Sequence, residues 1–223
     1  VVPPWADATR FHPRPRTENS FAERHAIGDA LVIMYSGNMG LGHDLESMWQ
    51  AARELVHEPG LRFFFIGDGP KWKWLSRQLA AEPLPNTLLL PWQTEDILPD
   101  SLAAADVALV SLEPELTGLA VPSKAYYFLS SGVPLIGICD EHCELAELIT
   151  DFGCGRVIAP RQPGELANLL RGVARDRNSQ LAPWREGTQR ARAHHDRFVT
   201  TQRFANHLAT AFGWDGDDAG DSE

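Results

Sequence analysis

The stretch ALVIMYSGNMGLGHDLESMWQAARELV, residues 30–56, decides the fold. Its first eight residues form a β-rich apolar run of the kind that a strand buried on both faces requires. Gly37, Gly40 and Gly42 interrupt the run. From near Asp44 the period becomes helical and sets Leu45, Met48, Trp49, Ala52, Leu55 and Val56 on one face. Strand, glycine turn and amphipathic helix make one β-α unit, and residues 30–174 repeat it. Further strands are expected at 61–66, 87–90, 107–110, 134–138 and 155–158, each followed by a candidate helix. The result is an α/β fold, a doubly wound parallel sheet of about six strands. GDGP closes the second strand, and Gly132 with Pro134 closes a helix that begins near Ser123. Beyond about Trp184 the pattern turns helical and charged, with Phe198, Phe204, Leu208 and Phe212 as packing residues of a last helix. GDDAGDSE reads as a disordered acidic tail. The chain thus divides into a lead-in over 1–29, the β-α domain over 30–183, C-terminal helices over 184–213 and a tail over 214–223.

With 223 residues, 43% of them hydrophobic, the chain can bury one good core, which favours a single domain of roughly 180 residues plus ends. It starts at Val1 with no charged and then apolar leader pattern, so it is expected to be an excised or incomplete piece without a signal peptide. No apolar run approaches the roughly 18 to 20 residues that cross a bilayer. Twenty basic against thirty acidic residues give a net charge of −10, the wrong sign for a broad nucleic-acid-binding face. A small phosphorylated ligand stays open, because it needs only a few local donors. Cys139, Cys143 and Cys154, an odd number, suggest reduced thiols in a cytosolic setting and no structural disulfide.

Loops at the carboxyl ends of parallel strands bind ligands, so those loops carry the chemistry. SGNMGLGHDLE follows the first strand. Its glycines permit close backbone approach and its helix start offers free N–H groups, which suits a phosphate; a tight turn using glycine is the bland alternative. In LTGLAVPSKAYYFLSSGVP, Ser123 can cap a helix whose first turn carries Lys124. A cation there opposes the helix dipole and makes more sense beside a bound anion, the alternative being a solvated surface lysine. Tyr126, Tyr127 and Phe128 are consecutive, so at least one must point away from the core. Cys139, His142, Cys143 and Cys154 include zinc-donor types, but the spacing lacks a second paired motif and no metal is expected. His194 and His195 read as solvated. Of Trp72 and Trp74, one should pack and the other lie at an edge.

These residues together resemble the C-terminal domain of family 4 retaining glycosyltransferases, whose Rossmann-like sheet forms half of the GT-B fold, and bacterial polysaccharide-building members most of all. VVPPWADATRFHP looks like their interdomain linker. VIMYSGNMGLGHDLESMWQAA, RFFFIGDGP, LPDSLAAADVALVSL and VPSKAYYFLSSGVPLIG then follow in the family's order. The resemblance runs from Val1 to about Gly213.

The resemblance implies that Gly37, Asn38 and Gly40 face a donor diphosphate, that the base lies near Pro91 and Trp92, and that Leu119, Ala120, Val121, Ser123 and Lys124 wrap the donor sugar and diphosphate. Tyr127 would lie by the ribose and Lys124 would be the catalytic cation. The implied donor is a UDP- or GDP-sugar, with no cofactor and no metal. The implied partner is an N-terminal acceptor-binding domain, in cis or as a separate subunit. The location would be cytoplasmic, with any contact at the inner membrane face made by that absent domain. This chain alone, of hexosyltransferase type, would bind donor without efficient transfer. Two departures stand out. Asn38 and His43 fill positions where many members have an Arg and a Lys, and Leu119 and Tyr127 fall where a pair of glutamates is usual. A subfamily trait or lost activity would explain them. The competing functions are a non-catalytic nucleotide-binding or protein-interaction domain and a nucleotide-sugar epimerase.

Overall fold

A computed structural model describes residues 4–113 and 123–212. Six strands form one sheet: β1 (Leu31–Asn38), β2 (Leu61–Asp68), β3 (Thr87–Leu90), β4 (Val107–Ser111), β5 (Leu135–Ile138) and β6 (Gly155–Ile158). All neighbours pair in parallel in the order β3-β2-β1-β4-β5-β6. The doubly wound, Rossmann-like sheet expected from the alternating pattern is therefore present, and each expected strand lies within a residue or two of its place.

The apolar runs are continuous because both faces of the sheet are covered. Along β1, Val32 and Met34 join one buried layer while Leu31, Ile33 and Tyr35 join the other. The first layer is covered by α1 (Ser20–Arg24), α4 (Leu98–Ala103), α5 (Lys124–Ser130) and α6 (Glu144–Phe152). The second is covered by α2 (Leu45–Glu54), α3 (Pro70–Ala81) and α7 (Pro163–Arg175). Leu45, Met48, Ala52 and Leu55 are fully buried, and Trp49 and Val56 pack at their edge, as the helical period requires. β1 and β2 stay in register to their ends, where Gly37 faces Gly67. A Cβ on Gly67 would stand 2.0 Å from the Gly37 carbonyl oxygen, and its φ of +144° adds to the strain any side chain would meet there.

At the opposite end of the sheet, Asp106 fixes the lead-in and the C-terminal helices to the domain. Only 5% of its side chain is exposed, and it accepts from the guanidinium groups of Arg16, Arg177 and Arg185 and from the Val32 N–H. Arg16 also donates to the carbonyl oxygens of Gly28 and Ala30, so the segment before β1 is held against the sheet. Phe11 and Phe21 of that segment enter the core.

Several expectations require correction. The C-terminal helices start earlier than residue 184: α8 spans Arg177–His194 with Pro183 inside it, and α9 spans Arg197–Phe212. Phe198, Phe204, Leu208 and Phe212 do not pack. They are 69%, 45%, 37% and 80% exposed, because α9 leans on α8 through its other side and buries only Thr200. Trp72 and Trp74 are both half-buried against the second layer, Trp74 edge-on to Trp49. His195 is not solvated: it sits edge-on to Tyr126 and Phe152, and burial, with His194 beside it, lowers its pKa to about 4. Cys139, Cys143 and Cys154 are buried free thiols. The tail at 214–223 lies outside the described residues.

Candidate functional site

The strand order reverses between β1 and β4, and in such sheets the crevice at the carboxyl ends of the strands on either side of the reversal is where ligands sit. A cleft of about 320 Å³ opens there. Ser36, Gly37 and Asn38 from the end of β1 and His43 from the following loop form one wall. Ser123, Lys124 and Tyr127 from the start of α5 form the other, and Leu98, Leu102, Phe128 and Trp92 give it an apolar side.

Lys124 is the first residue of α5 and its ammonium is held inside this wall. Nζ donates to Tyr35 Oη at 2.9 Å and lies 4.2 Å from the centre of the Tyr35 ring. The Tyr35 hydroxyl donates onward to the Asn38 carbonyl oxygen at 2.6 Å. Gly37 makes room: a Cβ there would lie 3.3 Å from Lys124 Nζ. Among the described residues no carboxylate forms an ion pair with Lys124. Burial pulls its pKa down to about 7, so a neutral amine and an ammonium are close in free energy until an anion arrives. Burial also pushes the Tyr35 hydroxyl well above its usual range, which keeps it a neutral phenol.

His43 is fixed by the end of β4. Its Nδ1 lies 2.7 Å from the Ser111 carbonyl oxygen, while the next N–H, from Asp44, donates to Ser111 Oγ at 2.7 Å. Asp44 caps α2 through the Ser47 N–H and accepts from the Arg161 N–H, so this helix start already has its own anion. Burial, reinforced by the charges of Lys124 and Lys71, lowers the His43 pKa to about 4. Lys71 stands behind the loop rather than in the cleft, donating to the His43 carbonyl oxygen at 2.6 Å and to Glu46 at 2.8 Å.

The cleft brings together Gly37, Asn38, His43, Trp92, Ser123, Lys124 and Tyr127 of the expected site. Gly40 stands behind Asn38, 3.3 Å from its side-chain nitrogen to a would-be Cβ. Pro91 is exposed at the rim and its carbonyl accepts from the Gln93 side chain. Leu119, Ala120 and Val121 lie outside the described residues. Ser123 occupies the N-cap position of α5 without making a capping bond, so its hydroxyl is left to the cleft. Tyr127 is the one of three consecutive aromatics that faces outward, packed 4.9 Å from Phe11, while Tyr126 and Phe128 are buried. Tyr35 was not expected at the site; the signal was a phenol hydroxyl following four apolar residues of the strand, two residues before a glycine. Among the described residues no group of three or more His, Cys, Asp and Glu side chains is placed to share a metal ion.

Residues 30–176 match the family described as glycosyl transferases group 1, and the chain belongs to that family. The match ends where α7 gives way to α8. Among curated relatives the chain is similar to WbjE of Pseudomonas aeruginosa, 30% identical over 169 residues that make up 74% of this chain and 41% of the relative. It is also similar to WcaI of Escherichia coli (strain K12), 29% identical over 152 residues, 67% of this chain and 37% of the relative. Both are named as glycosyltransferases by inference, the second in colanic acid biosynthesis. The chain therefore spans about two fifths of the length of these relatives. Among solved structures, Anabaena Alr3699/HepE in complex with UDP and glucose shares the fold with a TM-score of 0.74 at 16% identity, over 92% of this chain and 55% of that one.

Proposed function

We propose that the chain is the donor-binding part of a family 4 retaining glycosyltransferase with the GT-B arrangement, taking a nucleoside diphosphate sugar and passing the sugar to an acceptor hydroxyl in surface polysaccharide or glycolipid synthesis. The observation that carries this reading is Lys124: an ammonium without a carboxylate partner among the described residues, held in the wall of the cleft at the sheet's switch point. Such a group gains most when a diphosphate supplies the missing negative charge. When the bond from the anomeric carbon to the diphosphate breaks, its electron pair goes to the leaving oxygen. Lys124 then stabilises that charge more than it stabilised the ground state. The hydroxyl of Ser123 stands at the same wall for a sugar or phosphate oxygen. The apolar side with Trp92, Leu98 and Leu102 suits the flat base. The acceptor would come from an N-terminal domain that closes over the cleft and excludes water, and the whole enzyme would act in the cytoplasm.

Calorimetric titration with UDP, GDP and their sugar conjugates tests the reading: one diphosphate should saturate the chain, and absence of binding at millimolar ligand would overturn it. Replacing Tyr35 by Phe keeps the ring under the ammonium but removes the acceptor of Lys124 and the bond to Asn38. Affinity for the bound diphosphate should fall by about 1 kcal/mol, roughly fivefold, and the melting temperature by a few degrees, because the Asn38 carbonyl and the ammonium lose a partner. Binding should also depend on pH. Lys124 is protonated below about pH 7 in the free chain and loses its proton above it. Affinity for the sugar conjugate, whose diphosphate does not titrate in this range, should therefore be highest at pH 6, begin to fall around pH 7 and then drop by up to about tenfold per unit, which titrations at pH 6, 7, 8 and 9 would record.

A further inference from the structure

We propose that His43 is a specificity-determining residue that accepts a hydrogen bond from a hydroxyl of the donor sugar, rather than a cation that binds the diphosphate. The inference rests on the donor-site reading above and assigns a role within that site.

Hydrogen-bond polarity carries the argument. Nδ1 of His43 faces the Ser111 carbonyl oxygen at 2.7 Å, and a carbonyl oxygen can only accept. The proton of the neutral ring therefore sits on Nδ1, and Nε2 presents a lone pair. Nε2 makes no hydrogen bond with the described residues, and His43 lines the cleft. A second proton, which would turn Nε2 into a donor, is opposed first by burial of the ring and then by the charges of Lys124 on α5 and Lys71 on α3. The carboxylates nearby are already committed. Glu46 on α2 holds Lys71, and Glu113 beyond β4 holds Arg161 and lies 3.9 Å from Lys71. Tyr35 on β1 meets the imidazole ring edge-on at 6.0 Å and bears no charge.

Phosphate oxygens at neutral pH are acceptors, so a bare Nε2 facing one forms no bond and repels it. A sugar hydroxyl carries its own proton and completes the bond. One acceptor held at a fixed place by β4 discriminates between sugars by whether a hydroxyl reaches it, since a conjugate lacking that hydroxyl would cover the acceptor and leave it unpaired.

The test is titration of the wild-type chain, His43→Ala and His43→Gln with UDP, GDP, UDP-glucose, UDP-N-acetylglucosamine and GDP-mannose at pH 7.5, repeated at pH 5.5. In the wild type one conjugate should bind more tightly than its own bare diphosphate. His43→Ala should remove about fivefold of that sugar-dependent gain while moving the bare diphosphate by less than about twofold, and His43→Gln, whose amide oxygen can accept, should restore part of it. Retained diphosphate binding reports that each variant is folded. The gain should be the same at both pH values. Equal losses for diphosphate and conjugate, or a diphosphate affinity that rises at pH 5.5 only while His43 is present, would show a phosphate-binding cation and overturn the proposal. A wild type in which no conjugate exceeds its diphosphate also overturns it. No binding of any diphosphate would instead remove the donor-site reading, and this inference with it.

Discussion

Replacing Lys124 by alanine is expected to weaken diphosphate binding by about 2–3 kcal/mol, roughly 30- to 150-fold, the worth of a charge-assisted bond made away from water. The same substitution should leave stability unchanged or raise it. In the free chain the ammonium is desolvated, has Tyr35 as its partner and makes no ion pair with a described carboxylate. Burying such a charge costs free energy that the ligand, not the fold, repays. Lys124→Met, which fills the same space without charge, should therefore bind ligand as poorly as Lys124→Ala and melt at or above the wild-type temperature. Calorimetry paired with thermal unfolding checks both halves. A variant that melts lower and still binds would place Lys124 in the structure rather than in the site.

The second large effect is on stability. Asp106 is the shared acceptor for Arg16, Arg177 and Arg185 and for the Val32 N–H, and it is nearly sealed from solvent. Asp106→Ala leaves guanidinium groups from the lead-in and from α8 without their counter-charge, which costs about 3–5 kcal/mol in comparable buried pairs. For a chain of this length the melting temperature should fall by roughly 10 °C or more. Asp106→Asn, which keeps the shape and two acceptor lone pairs, should fall less. Because Asp106 precedes β4 while the cleft lies beyond its other end, diphosphate affinity measured well below the melting point should not change. Thermal unfolding followed by circular dichroism gives the first result and calorimetry at 15 °C the second.

How much of this was legible in the sequence follows from what each signal encodes. The strands were readable because a parallel sheet buried on both faces demands unbroken apolar runs, and ALVIMYSG and RFFFIG have few other uses. Lys124 was readable as an anomaly, a cation at a helix start. What it rests on was not readable, since the contact between Lys124 and Tyr35 joins residues 89 positions apart. His43 was legible only as a departure from the family pattern, because the tautomer that decides what it can do depends on the Ser111 carbonyl, 68 residues away. The apolar residues of α9 looked like core because period reports a face, not whether anything covers it. His195 erred the other way: charged neighbours in sequence hid the two aromatic rings it meets in space. The start of α8 was placed late: the helix that Asp176 caps begins at Arg177 and carries Pro183 in its second turn.

The most direct test of the central claim is a crystal structure of this chain with UDP. The account predicts the diphosphate in the cleft between the end of β1 and the start of α5, with a phosphoryl oxygen within hydrogen-bond distance of Lys124 Nζ and the base on the side of Trp92. A UDP bound elsewhere, or in the cleft with its diphosphate turned away from Lys124, would contradict it.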